Sequence, residues 1–166
     1  MKNKESDLII EALLFADATP LNQVQLNQVF DNPVPSLKES IIRLNEFYAR
    51  HERPYSILSV AGGYQLATNS NYSIWIRRLL GKSNKLTLST AALDTLAIIA
   101  YKQPVGRYDI EAIRGVDSSG VVKTLLTRNL IMIKGRGTSP GRPLLYSTTK
   151  IFLEFFGLNR LSDMPK

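Results

Sequence analysis

Residues 135–149, GRGTSPGRPLLYSTT, hold three glycines (Gly135, Gly137, Gly141) and two arginines behind a strand-like run. These are the residue types that cradle a nucleotide phosphate. The spacing G-x-G-x-x-x-G differs from the dinucleotide fingerprint, and no Gly-Lys-Ser/Thr follows as a P-loop requires. A cradle also needs a helix N-terminus directly after its glycines, with free N–H groups aimed at the anion. Here Pro143 follows, which lacks an N–H, and Leu144, Leu145 and Tyr146 read as a returning strand. The stretch is expected to be the turn of a β-hairpin, and no cofactor is expected.

Acid–base and metal chemistry have little to work with. The one histidine, His51 in ARHER, closes a charged helix and is expected on the surface, interacting with the helix carbonyls and dipole. Asp109 and Glu111 stand two apart on a predicted helix and so point different ways. There is no G-x-S-x-G and no metal-spaced cluster, and without cysteine neither a thiolate nucleophile nor a disulfide is possible. No catalysis and no metal site are expected.

The elements that would position these residues follow from the hydrophobic pattern. Ser6 and Asp7 open a predicted helix with Leu8, Ile9, Ala12, Leu13 and Ala16 on one face. TPLNQVQLNQVF gives a short second helix with Leu21, Val24 and Leu26 apolar and Pro20 near its first turn. Ser36 and Glu39 form the S-x-x-E of a capping box, and Leu37, Ile41, Leu44 and Tyr48 follow at i, i+4, i+7 and i+11. YSILSVAGGYQLATN reads as a hairpin whose Gly62 and Gly63 accept positive φ, and NYSIWIRRLLG as an amphipathic helix ended by Gly81.

The order then repeats. STAALDTLAIIAY, apolar almost all round, predicts a helix buried on most of its surface. GRYDIEAIRG predicts a second with Ile110 and Ile113 inward, and DSSGVVKTLLTRN a third capped by Asp117 or Ser118. NLIMIK and RPLLYS are strands around the glycine-rich turn, and TTKIFLEFFG is a closing helix ended by Gly157. The fold class is α+β, mainly helical: two tandem winged helix-turn-helix domains, each of three helices, a hairpin wing and a closing helix. The expected limits are 1–81, a linker at 82–88, 89–158 and a tail at 159–166.

Charge separates the halves. Residues 1–80 carry eight Lys plus Arg and eight Asp plus Glu, whereas residues 81–166 carry thirteen and six, so the net +7 lies wholly in the second half. That half calls for an acidic partner, nucleic acid or protein. The third helix of the first unit mixes Glu39, Glu46 and Glu52 with its bases, and that of the second offers only Lys123 and Arg128, with Ser118, Ser119 and Thr124 as weak alternatives. Neither convincingly presents, near its start, the Arg, Asn or Gln that reads base edges. On the second wing Lys134, Arg136 and Arg142 cluster, suited to non-specific phosphate contact, to capture of an acidic or amphipathic protein segment, or simply to water. No run of about 18 apolar residues predicts a membrane span, the N-terminus lacks a signal peptide's cleavage site, and the expected address is cytoplasmic.

Over residues 88–158 the segments ALDTLAIIAYKQPV, IEAIRGV, LLTRNLI, GRPLLYSTT and FLEFFGL occur in an order and spacing that resemble the bacterial segregation and condensation protein B family, ScpB. IIEALLFADATPL and GGYQLAT extend the likeness into the first half. Departures are small: Gly106, Asp109 and Ser147 stand where the family often has Thr or Ser, Glu, and Gly. The resemblance implies a non-enzymatic accessory subunit of a condensin-like complex, nucleoid-associated, acting in chromosome condensation and partition. It implies binding to the kleisin ScpA and through it to SMC, with any DNA contact indirect or non-specific, and a homodimer formed by the first unit.

Kleisin contact is expected from Arg107, Arg136, Arg142 and Tyr146. The dimer face is expected on the third helix at Ile41, Leu44 and Tyr48, although these residues suit the core better still, or on the first helix. The family often carries an acidic tail, so more chain beyond Lys166 is an open expectation. The reading from a different class is a DNA-binding winged-helix regulator.

Overall fold

The computed structural model describes residues 2–31, 33–80 and 88–165. The chain divides into two compact units, one of Met1–Ser83 together with Gly157–Lys166, the other Asn84–Phe156. The expected glycine stop at Gly81 and linker residues 82–87 lie outside the described residues.

The first unit runs α1 (Lys2–Ala16), α2 (Gln23–Val29), α3 (Leu37–Arg50), β1 (Tyr55–Val60), β2 (Gly63–Thr68) and, after a 3-10 turn at Ser70–Tyr72, α4 (Ser73–Leu80). Asn22 starts α2 with a capping box: its side chain accepts from the Gln25 N–H while Gln25 accepts from the Asn22 N–H. Pro20 therefore lies before the helix, and Leu21 leaves it too, forming an isolated bridge with Tyr64 through two 2.8 Å backbone bonds. Gln23 ties α2 to the start of α3 by accepting from the Leu37 N–H at 2.8 Å. In α3 the predicted stripe is the core: Leu37, Ile41, Leu44 and Tyr48 are at most 5% exposed and pack with Ile10, Leu14 and Leu26. Burial of each such side chain contributes about 1.5–3 kcal/mol.

The α1 stripe differs from the one expected. Ile10 and Leu14 face the core, while Leu8 and Ile9 are exposed. Asp7, one turn before Ile10, fixes this rotation through a two-pronged pair with Arg43 (Nε to Oδ2 2.8 Å, Nη2 to Oδ1 2.7 Å). Partial burial pushes the Asp7 carboxyl up, but hydrogen bonds from Arg43 and Ser40 and the Arg43 charge outweigh it and hold the group below the usual carboxylate range. In the hairpin, Ala61 (φ 51°) and Gly62 (φ 78°) form the two-residue turn. Gly63 is needed for a different reason from the one expected, since a Cβ there would lie 2.8 Å from the Leu21 carbonyl oxygen.

The second unit runs α5 (Thr90–Lys102), β3 (Val105–Gly106), α6 (Arg107–Arg114), α7 (Ser119–Thr127), β4 (Ile131–Arg136), β5 (Leu144–Thr148) and α8 (Lys150–Phe156). Its three strands are antiparallel in the order β3-β5-β4. Helix α5 buries one side only, Ala92, Thr95, Leu96, Ile99 and Ala100, and leaves Leu93 and Tyr101 exposed. Ile110 of α6 is fully buried, but Ile113 is 56% exposed: this eight-residue helix covers the core with a single narrow stripe. The glycine-rich stretch is a wing, with β4 and β5 paired from Ile131↔Thr148 to Arg136↔Leu144 and the turn closed by Gly137 N–H to Pro143 O at 2.8 Å. The molecule is thus a mixed α+β chain of two winged-helix units with small antiparallel sheets.

The end of the chain differs from an appended tail. After α8, the Leu158 carbonyl accepts from the Ala61 N–H and the Asn159 side chain from the Gly62 N–H, each at 2.9 Å, so this segment is part of the first unit.

Candidate functional site

In the second unit a helix-turn-helix is locked by polar contacts. Gly106 N–H donates to Asp109 Oδ2 at 3.2 Å to start α6, and Gly115, at φ 73°, ends it. Across the turn, Arg114 Nη1 donates to Ser118 Oγ (2.8 Å) and Ser118 N–H to Glu111 Oε1 (3.2 Å). Ser118 holds the cap position of α7, but it is fully buried and its hydroxyl is turned to Arg114 and the Val116 carbonyl. Asp117 instead accepts from the Ser119 hydroxyl (2.7 Å) and amide, and the hydroxyl contact foremost holds its carboxyl below the ordinary range.

This lock places α6, α7 and the wing around an open groove of ≈ 350 Å³. Its apolar lining comes from Val122, Leu126, Pro143, Leu144 and Tyr146, and its polar edge from Arg107, Tyr108, Ser119 and Lys123. Arg107 pairs with Glu111 at 3.5 Å and lies 5.5 Å from the centroid of the Tyr108 ring. Of the four expected contacts, Arg107 and Tyr146 come together here. Arg136 and Arg142 lie outside the lining, exposed on the wing, where Arg136 Nη1 donates to the Arg142 carbonyl at 3.1 Å. Tyr108 and Leu126 were not anticipated, nor was Lys123 at the edge of an apolar groove. The arginine–tyrosine pair opening α6, and the Lys123–Leu126 spacing on α7, are the signals that would have found them.

Thr124 and Thr127 hydroxyls donate to the Gly120 and Lys123 carbonyls of their own helix, both at 3.0 Å. With Ser119 turned to Asp117, the exposed hydroxyls of α7 are engaged within the fold instead of projecting toward base edges. An apolar groove edged by two cations suits a protein segment carrying apolar side chains and a carboxylate.

The expected dimer face on α3 requires correction. Ile41, Leu44 and Tyr48 lie 4%, 5% and 1% exposed in the core of the first unit and have no surface to offer. Burial first, and then the hydrogen bond to Glu11 (2.9 Å) and its charge, raise the Tyr48 phenol pKa. Beside Ile42 and Phe47 of α3, the exposed apolar side chains of this unit include Leu8 and Phe15 of α1. These two α1 residues border an open groove of ≈ 520 Å³ between α1 and the hairpin, with Leu66 and Thr68 on its far wall. His51 is exposed, its Nδ1 2.8 Å from the Phe47 carbonyl. Among the described residues no group of three or more His, Asp or Glu is placed to hold a metal ion, and no helix is long and apolar enough to cross a membrane.

The family model described as "Segregation and condensation complex subunit ScpB" matches residues 8–166. The segregation and condensation protein B of Syntrophotalea carbinolica is 48% identical over 165 residues, covering 99% of this chain and 83% of the relative. That of Moorella thermoacetica is 45% identical over 156 residues, covering 94% and 80%. A crystal structure of ScpB from Mycobacterium tuberculosis is 29% identical, with a TM-score of 0.44 and coverage of 95% and 98%. On the family match and the two close relatives, the chain belongs to the ScpB family of segregation and condensation complex subunits.

Proposed function

We propose that the chain is a non-enzymatic subunit of an SMC–kleisin complex that holds the kleisin ScpA in the α6–α7–wing groove and serves chromosome condensation and partition at the nucleoid. The observation that carries this is the groove itself, with Tyr146 and Leu126 in its lining and Arg107 and Lys123 at its edge. A kleisin segment with an apolar anchor and a nearby carboxylate fits it. Arg136 and Arg142 add positive charge beside it and speed encounter more than they add affinity. The first unit pairs with a second copy, DNA contact is indirect or non-specific, and the complex is cytoplasmic.

Calorimetric titration of the purified chain with ScpA at physiological salt tests the reading. Tyr108→Ala and Lys123→Glu, both at exposed positions, each weaken binding about tenfold or more with unchanged circular dichroism. No binding by the wild type, or equal binding by both variants, overturns the proposal. Sequence-specific binding of a short duplex that survives physiological salt would instead favour the regulator.

A further inference from the structure

Helix α4 is built to be covered. Within SIWIRRLL, Trp75, Ile76, Leu79 and Leu80 share one arc, and Arg77 and Arg78 flank it on either side. None of its described residues is buried: Trp75 is 60% exposed, Leu79 86% and Leu80 63%. Side chains of this size clustered in two turns of an exposed helix mark an association surface.

The first unit also carries the complement. The groove between α1 and the hairpin is apolar along Leu8, Ala12, Phe15 and Leu66, and Glu11 is the one charged residue in its lining. One Glu11 oxygen accepts from the Tyr48 hydroxyl at 2.9 Å, which fixes the carboxylate in place. A helix with an apolar arc bordered by arginines matches an apolar groove holding a fixed carboxylate, in apolar character and in charge.

We infer that α4 of one chain docks in the α1–hairpin groove of a second copy, with Trp75 and Leu79 against Leu8 and Phe15 and an α4 arginine facing Glu11. Each chain offers one helix and one groove; exchanged reciprocally about a two-fold axis, the contact is made twice and closes at a dimer. This rests on the dimer reading above and assigns it a helix, a groove and a charge pair.

Light scattering across a concentration series tests it. The wild type is expected at twice the 18.6 kDa chain mass. Leu79→Asp changes a side chain that is 86% exposed, so the fold is retained, and the dimer weakens about 100-fold because the contact is lost twice. Arg77→Glu with Arg78→Glu weakens it as well, and adding Glu11→Lys restores part of the loss. A Leu79→Asp chain that stays as dimeric as the wild type overturns the α4 docking and leaves the dimer standing. A wild type that is monomeric throughout overturns both.

Discussion

Gly62 donates its backbone N–H to the side-chain oxygen of Asn159 at 2.9 Å, across 97 positions of sequence. The neighbouring Ala61 N–H donates to the Leu158 carbonyl at the same distance. A two-residue hairpin turn leaves these amides without partners in its own ladder, and the end of the chain supplies both. Leu158 and Asn159, just after α8, are therefore structural parts of the wing at the far end of the sequence.

Asn159→Ala removes one of these acceptors from an exposed turn. It costs about 0.5–1.5 kcal/mol. Amide hydrogen exchange read residue by residue is expected to accelerate at Gly62 and Ala61 and to leave α5 and α7 unchanged. Unaltered exchange at Gly62 would show that the contact contributes nothing in solution.

Gly63→Ala places a Cβ 2.8 Å from the Leu21 carbonyl oxygen, a backbone atom that cannot step aside without breaking the Leu21–Tyr64 bridge. The expected loss is about 1–3 kcal/mol. Gly120→Ala is the control, because nothing lies within 4 Å of its added Cβ and its φ is not positive; it is expected to be neutral or stabilising by up to about 1 kcal/mol. Chemical denaturation of the two variants should move in opposite directions or, at the least, differ clearly.

Asp7→Asn breaks the two-pronged pair with Arg43 at a carboxylate whose side chain is 14% exposed. A cost of about 1–2 kcal/mol at neutral pH follows from the geometry, reduced by the exposure of Arg43. Because the folded pKa of Asp7 is lowered, its contribution is fully present above the unfolded value of about 3.9 and is lost as pH falls through the folded value. The wild type should therefore lose stability below about pH 4, and the Asn variant should show a shallower loss over the same interval in acid titrations followed by circular dichroism.

Leu44→Ala separates core from surface. At 5% exposure it should cost about 2–5 kcal/mol. Its effect on self-association should not exceed what that loss of folded chain accounts for. A fully folded Leu44→Ala protein that no longer dimerises would return the dimer face to α3.

The α3 stripe was legible because four buried positions fall on one 3.6-residue period behind a serine cap. The second wing was legible because Pro143 withholds the N–H that a phosphate cradle needs and Leu144, Leu145 and Tyr146 read as a returning strand. What escaped was non-local or too short to have a period. The rotation of α1 depends on Arg43, 36 residues from Asp7. The two-residue strand β3 exists through pairing with Leu145 and Tyr146. Leu21 looked helical and became a bridge because Gly63 lets the chains approach. In the candidate groove, Arg107 and Tyr146 could be named from the chain, but Tyr108 and Lys123 join them only once the Ser118 lock sets the angle of α7.

The division of the chain also sets an order of assembly during synthesis. The first unit begins to emerge from the ribosome first, yet its wing turn lacks two acceptors until Leu158 and Asn159 have been made. The second unit, complete at Phe156, is fully synthesised before them. On a translating ribosome the domain that starts first is the one that finishes last.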